Sequence, residues 1–208
     1  MGIFDLFQRG KGVPTNMAAD FPYPFGYKIC WYAIKNETAE AIIEKLKFKV
    51  VSESNWETGI KNVYESEKHL FVSPPVNGYV LVVNVHPDEN AVKKHSLLFK
   101  ELQYFATHRV IEYNAWAKFC DGKIIRGYGY TGESGEVTWC EGNVTQEEIN
   151  LGFEKFPANT EELCSDDFDY ENLPDEESVL AIAKAWGVDV AFEDDGYEKG
   201  TGFLCEFM

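Results

Sequence analysis

Asp121-Gly122 stands between two strand-like runs, residues 111–120 and 123–130, and no other feature constrains the chain as much. A two-residue connection of this type places both residues at positive φ, which twists the flanking strands into a tight antiparallel hairpin. A second reverse-turn signal, Pro74-Pro75-Val76-Asn77-Gly78, joins the short runs 70–73 and 79–83. Runs 27–34, 47–51, 60–66, 104–108 and 136–140 read as further strands. Helices are predicted from about Thr38 through Leu46, with Ala39, Ile42, Ile43 and Leu46 on one face, from Glu89 to Leu102, and briefly over 145–150. From Asp175 to Trp186 a further helix is signalled by acids in its first turn and by Gly187 as its stop.

The pattern predicts an α+β fold, mainly antiparallel strands in one or two curved sheets. The helices from Thr38 and Glu89 are expected on one side, with the C-terminal helix closing an edge or end. The β-α-β-β-β order recurs with Tyr27 and Tyr79 as equivalent positions, which suggests an internal duplication that the side chains do not repeat. Residues 1–24 read as an arm and linker in which Phe4, Leu6 and Phe7 would pack on the domain or a neighbour. Residues 25–152 read as the α+β core. Residues 153–208 read as an acidic extension packed on that core through a helix at about 175–186.

Charge narrows the partners. The chain carries 19 Lys and Arg against 35 Asp and Glu, a net −16, and residues 161–208 alone hold 15 acids and 2 bases. Such a field repels phosphate backbones and anionic lipid, which argues against nucleic acid and membrane and permits a basic protein. Cys30, Cys120, Cys140, Cys164 and Cys205 are odd in number and scattered, so neither a disulfide framework nor a zinc site is expected and a cytoplasmic location fits. The opening MGIFDLFQRG is too short for a signal peptide, and Leu6 breaks the acylation pattern that Gly2 would begin.

The phrases Phe25-Gly26-Tyr27-Lys28, Val72-Ser73-Pro74-Pro75-Val76-Asn77-Gly78-Tyr79, Gln103-Tyr104-Phe105-Ala106-Thr107-His108-Arg109-Val110 and Glu112-Tyr113-Asn114-Ala115-Trp116-Ala117 resemble a family of uncharacterised bacterial proteins. The resemblance spans about residues 25–187. It implies no catalytic or binding residue.

The densest collection of chemically capable side chains runs from Tyr104 to Tyr130. Alternate residues of a strand share a face, so Tyr104 and His108 point together, Glu112 and Trp116 form a second row, and Arg126 and Tyr128 alternate across the hairpin. On one face, His108, Glu112, Arg126 and Tyr128 would make a surface for a small polar molecule or for acid–base work, His108 beside a carboxylate serving as base. The bland alternative is a sheet face of mixed polar and aromatic residues. No nucleophile elbow, phosphate loop or metal cluster accompanies these residues, and no cofactor is expected. Asp166-Asp167-Phe168-Asp169-Tyr170-Glu171 alternates its acids like a calcium loop but lacks the central Gly and the twelfth-position Glu. Two functions from different classes follow. One is a noncatalytic, immunity- or inhibitor-like interaction module recognising a basic protein. The other is a small-molecule-binding protein or enzyme using the His108 face.

Overall fold

The computed structural model describes residues 18–165, 168–170 and 173–207. The expectations for Phe4, Leu6 and Phe7, and for Asp166, Asp167 and Glu171, lie outside these residues. Nine strands are described: β1 (Cys30–Lys35), β2 (Lys49–Asn55), β3 (His69–Val72), β4 (Tyr79–Val83), β5 (Glu101–His108), β6 (Tyr113–Cys120), β7 (Lys123–Thr131), β8 (Glu136–Gly142) and β9 (Thr201–Glu206). They form one antiparallel sheet in the order β2-β9-β3-β4-β1-β5-β6-β7-β8. The fold is α+β, as expected. Its Asp121-Gly122 hairpin pairs Cys120 with Lys123, with Asp121 at φ 49° and Gly122 at φ 70°.

The strand order dictates where the first helices go. Counting antiparallel neighbours, β1 runs the same way as β2, and β4 the same way as β5. Each of those connections must therefore cross a sheet face. The crossovers are α1 (Ala39–Leu46), which buries Ala39, Ile42 and Ile43, and α3 (Glu89–Ser96), which buries Val92. Both join the same apolar cluster with Tyr32, Val82 and Tyr104, so the helices from Thr38 and Glu89 do share one side. Thr38 and Asp88 cap them by accepting the Ala41 and Ala91 N–H groups.

The opposite face is covered by α2 (Trp56–Glu65), α4 (Gln146–Leu151) and α6 (Glu176–Ala185). Here several expectations are corrected. Residues 60–66 are not a strand: Trp56, Ile60 and Val63 recur at helical spacing and are buried. Asn55 accepts from the Thr58 N–H, and the two Asp20 carboxylate oxygens accept from the Trp56 and Glu57 N–H groups at 2.7 and 3.0 Å. Three capping acceptances at one terminus outweigh the β-branched composition. The α3 helix ends at Ser96 rather than at Leu102, because Leu102 already pairs with Ile34 across β5 and β1. Helix α6 docks through Val179, Ile182, Ala183 and Trp186, but across β5 and β6 rather than at an edge. A single helical turn, α5 (Thr160–Leu163), tucks Leu163 into the same core. Strand β9, for which no local turn signal predicts a strand, lies between β2 and β3 and is hydrogen-bonded to both.

Candidate ligand cleft

The structure divides the six residues singled out from sequence between two faces and a turn. Trp116 on β6 and Tyr128 on β7 are register partners and stack at 4.9 Å, facing α4 and the 3₁₀ turn Phe153–Lys155. Arg126 projects to the same face and meets Glu148 of α4. Its Nε donates to the Glu148 carboxylate at 2.9 and 3.2 Å, the Trp116 indole N–H donates to Oε1 at 2.9 Å, and the Thr145 backbone N–H donates to Oε2 at 2.7 Å. The Arg126 and Glu148 side chains are 4% and 0% exposed. Burial works against the Arg126 charge, but Glu148 more than restores it, and the guanidinium pKa lies above its ordinary value. Both carboxylate oxygens of Glu148 are engaged in this knot. The knot pins α4 to the sheet.

Glu112 sits in the turn between β5 and β6 at φ 50°, exposed, with its side chain against Gly132. Tyr104 is buried on the α1 and α3 face, its ring 5.8 Å from that of Tyr32. The expected four-residue face of His108, Glu112, Arg126 and Tyr128 is therefore not assembled. His108 alone, on the same face as Tyr104, opens onto a cavity.

That cavity is a cleft of about 840 Å³ between the two crossover helices, at one end of the sheet. The end is where β4, β5 and β9 finish and β2 and β3 begin. Phe48 and Phe207 enter it from the start of β2 and the end of β9, packed edge-on at 5.8 Å. Leu46 comes from α1, Val85 and Pro87 from the β4–α3 loop, and Ala91 from α3. Against these apolar walls stand Tyr32, His86, His95 and His108, with Lys47 and Glu67. Three of the four histidines in the chain thus converge on one site. A volume within the range of ligand pockets, largely apolar walls and a few convergent polar groups together make this cleft the candidate ligand site.

Local structure fixes these groups. Lys47 is the left-handed cap of α1, at φ 57°, with its N–H held by the Ile43 and Glu44 carbonyls. Asn84, at φ 75°, donates through Nδ2 to the His69 carbonyl at 2.6 Å and presents Oδ1 to His86 Nε2 at 2.7 Å. With that amide oxygen as acceptor, His86 carries its proton on Nε2. Tyr32 shares a 2.9 Å hydrogen bond with His95 Nδ1, and burial pushes its phenol pKa far above the ordinary range. Desolvation lowers the His86 pKa against the opposing pull of Glu67, with His108 lowering it further. Desolvation, then Lys94, lowers that of His95. Both imidazoles are therefore predominantly neutral at pH 7; with its Nε2–H given to Asn84, His86 has Nδ1 left as an acceptor, and His95, bonded to Tyr32 through Nδ1, keeps Nε2 for a ligand.

The residues missed from sequence are Tyr32, His86 and His95, with Lys47 and Phe207. No local motif could have found them, because the site joins positions from 32 to 207 through two crossovers and a late strand. Among the described residues, no group of three or more His, Cys, Asp or Glu is placed to hold a metal ion, and no helix is long and apolar enough to cross a membrane. No protein-family model matches the chain, and no curated protein or solved structure matches it at a significant level.

Proposed function

We propose that this protein is a binding protein whose cleft between α1 and α3 receives a small organic molecule with an apolar body and a hydrogen-bonding end. The observation that carries this reading is the meeting of His86, His95, His108 and Tyr32 on a cleft otherwise walled by Leu46, Phe48, Val85 and Phe207. Four histidines give four resolvable imidazole Cε1–H resonances, and His69 is outside the cleft and serves as an internal control. Screening a library of small amphiphiles by these resonances is expected to shift the other three while leaving His69 in place. Leu46→Trp, which fills the cleft with a neutral ring, should abolish those shifts; shifts that survive the substitution place the ligand elsewhere.

A second reading, recognition of a basic protein by an immunity- or inhibitor-like module, is favoured by one separate observation. The acids on and around α6 are occupied within the chain: Glu176 with Arg109, Glu177 with the Tyr27 hydroxyl, Asp189 with Lys184. Glu193, Asp194, Asp195 and Glu198, by contrast, are exposed, and Glu193 lines a groove of about 580 Å³ with Phe25, Tyr27 and Tyr64. A basic partner captured by the native chain should lose affinity and salt dependence toward a chain carrying Glu193→Gln, Asp194→Asn, Asp195→Asn and Glu198→Gln. Equal binding and equal salt dependence in the two chains would return this loop to plain solubility.

A further inference from the structure

Resting on the cleft as a ligand site, we propose that its ligand is an aliphatic monocarboxylic acid, the hydrocarbon lying along Leu46, Phe48, Val85 and Phe207 and the carboxylate meeting Lys47 and the outer nitrogen of His95. The polar inventory of the cleft is lopsided. His86 spends its N–H on Asn84, and Tyr32 and His95 Nδ1 are bonded to each other, which leaves Lys47 and the outer nitrogens of His95 and His108 opposite a single carboxylate, Glu67. Donors therefore outnumber fixed anions, and an acceptor-rich, anionic end uses them while a cationic end would find only Glu67.

The setting makes this gathering informative. The chain carries −16 overall, a field that disfavours anions over most of the surface, yet here N–H-bearing side chains meet against that trend. The charge of the ligand follows from the same count. One lysine matches one negative charge, and Glu67 on the rim opposes a second, so a phosphate dianion is disfavoured. The cleft also lacks arginine, the guanidinium fork that phosphate recognition commonly uses. The apolar walls take the rest of the molecule, since a short polar acid such as acetate would leave Phe48 and Phe207 uncovered.

The test titrates the full chain with octanoate, 1-octanol and octylammonium, each followed by the four imidazole Cε1–H resonances. Octanoate is expected to shift His86, His95 and His108 and not His69, at least about tenfold more tightly than 1-octanol, with octylammonium weakest. Lys47→Met, which keeps the side-chain stem, should lower octanoate affinity about tenfold and leave 1-octanol affinity unchanged. Lys47→Gln repeats the measurement should the first variant fold poorly. Equal affinity for acid and alcohol, tighter binding of the ammonium, or indifference of octanoate to Lys47→Met would overturn the carboxylate assignment while leaving the cleft a ligand site. Cleft resonances that move with none of the three probes would overturn both.

Discussion

At the scale of single residues, the Glu148 carboxylate accepts from an indole, a guanidinium and a backbone N–H with no exposed atom, so its charge is held entirely by the fold. Glu148→Gln removes the negative charge and leaves Arg126 buried without a counterion. Breaking one partner of a buried pair typically costs about 3–5 kcal/mol. Urea denaturation should report a loss of this size with Trp116 packing disturbed; a loss under about 1 kcal/mol would show that the pair is expendable. The histidines give the pH counterpart. The folded pKa values of His86 and His95 lie below their ordinary 6.5, so the unfolded chain binds more protons in the window beneath it. Their contribution is fully present above about pH 6.5 and is lost as pH falls through the lowered folded values. The urea midpoint should therefore drop between pH 7 and pH 5.5, and a His86→Gln, His95→Gln chain should flatten that drop.

At the scale of elements, Gly59 tests how α2 sits on the sheet. A glycine in a helix interior is ordinarily improved by alanine, by about 1 kcal/mol. Here a Cβ would overlap the Phe71 ring of β3, a buried aromatic that cannot swing aside because Trp56 packs on it at 5.5 Å. Gly59→Ala is expected to destabilise by about 1–3 kcal/mol in denaturant unfolding, the magnitude of overpacking; a stabilised variant would mean that the helix can lift off β3. The same helix shows why legibility was uneven. The Asp121-Gly122 hairpin, the crossover helices and the face of α6 were readable because turn chemistry, caps and apolar period agree within a dozen residues. In α2 the capping carboxylate comes from Asp20, far upstream, and the run around Ile60 and Val63 suits either period. In β9 the segment Thr201 to Glu206 has strand composition, but its partners, residues 49–55 and 69–72, are more than a hundred positions away. Of the candidate site, only His108 was legible, since strand alternation orients a side chain but does not say what the crossovers bring beside it.

At the scale of the whole molecule, both faces of the sheet are covered, and the centre shows it in composition. Strand β4, Tyr-Val-Leu-Val-Val, is buried at every position, as is nearly all of β1. Strand β2, at one edge, is instead exposed over most of its length and is hydrogen-bonded within the sheet to β9. Deleting residues 201–208 should strip β2 of that partner. Amide hydrogen exchange over residues 49–55 is expected to lose its protection while the hairpin of β6 and β7 keeps it; unchanged protection at 49–55 would mean that β2 has found another neighbour.

The interior position of β9 also sets a timetable for synthesis. As the chain emerges from the ribosome, the β4-β1-β5-β6-β7-β8 block has all its hydrogen-bonding partners once about residue 142 has been made. Strands β2 and β3 must then hold a gap one strand wide, with two rows of open N–H and C=O groups, until some sixty more residues have been added. Those open rows are the nascent chain's point of greatest exposure to mispairing, and the arrival of β9 is what removes it.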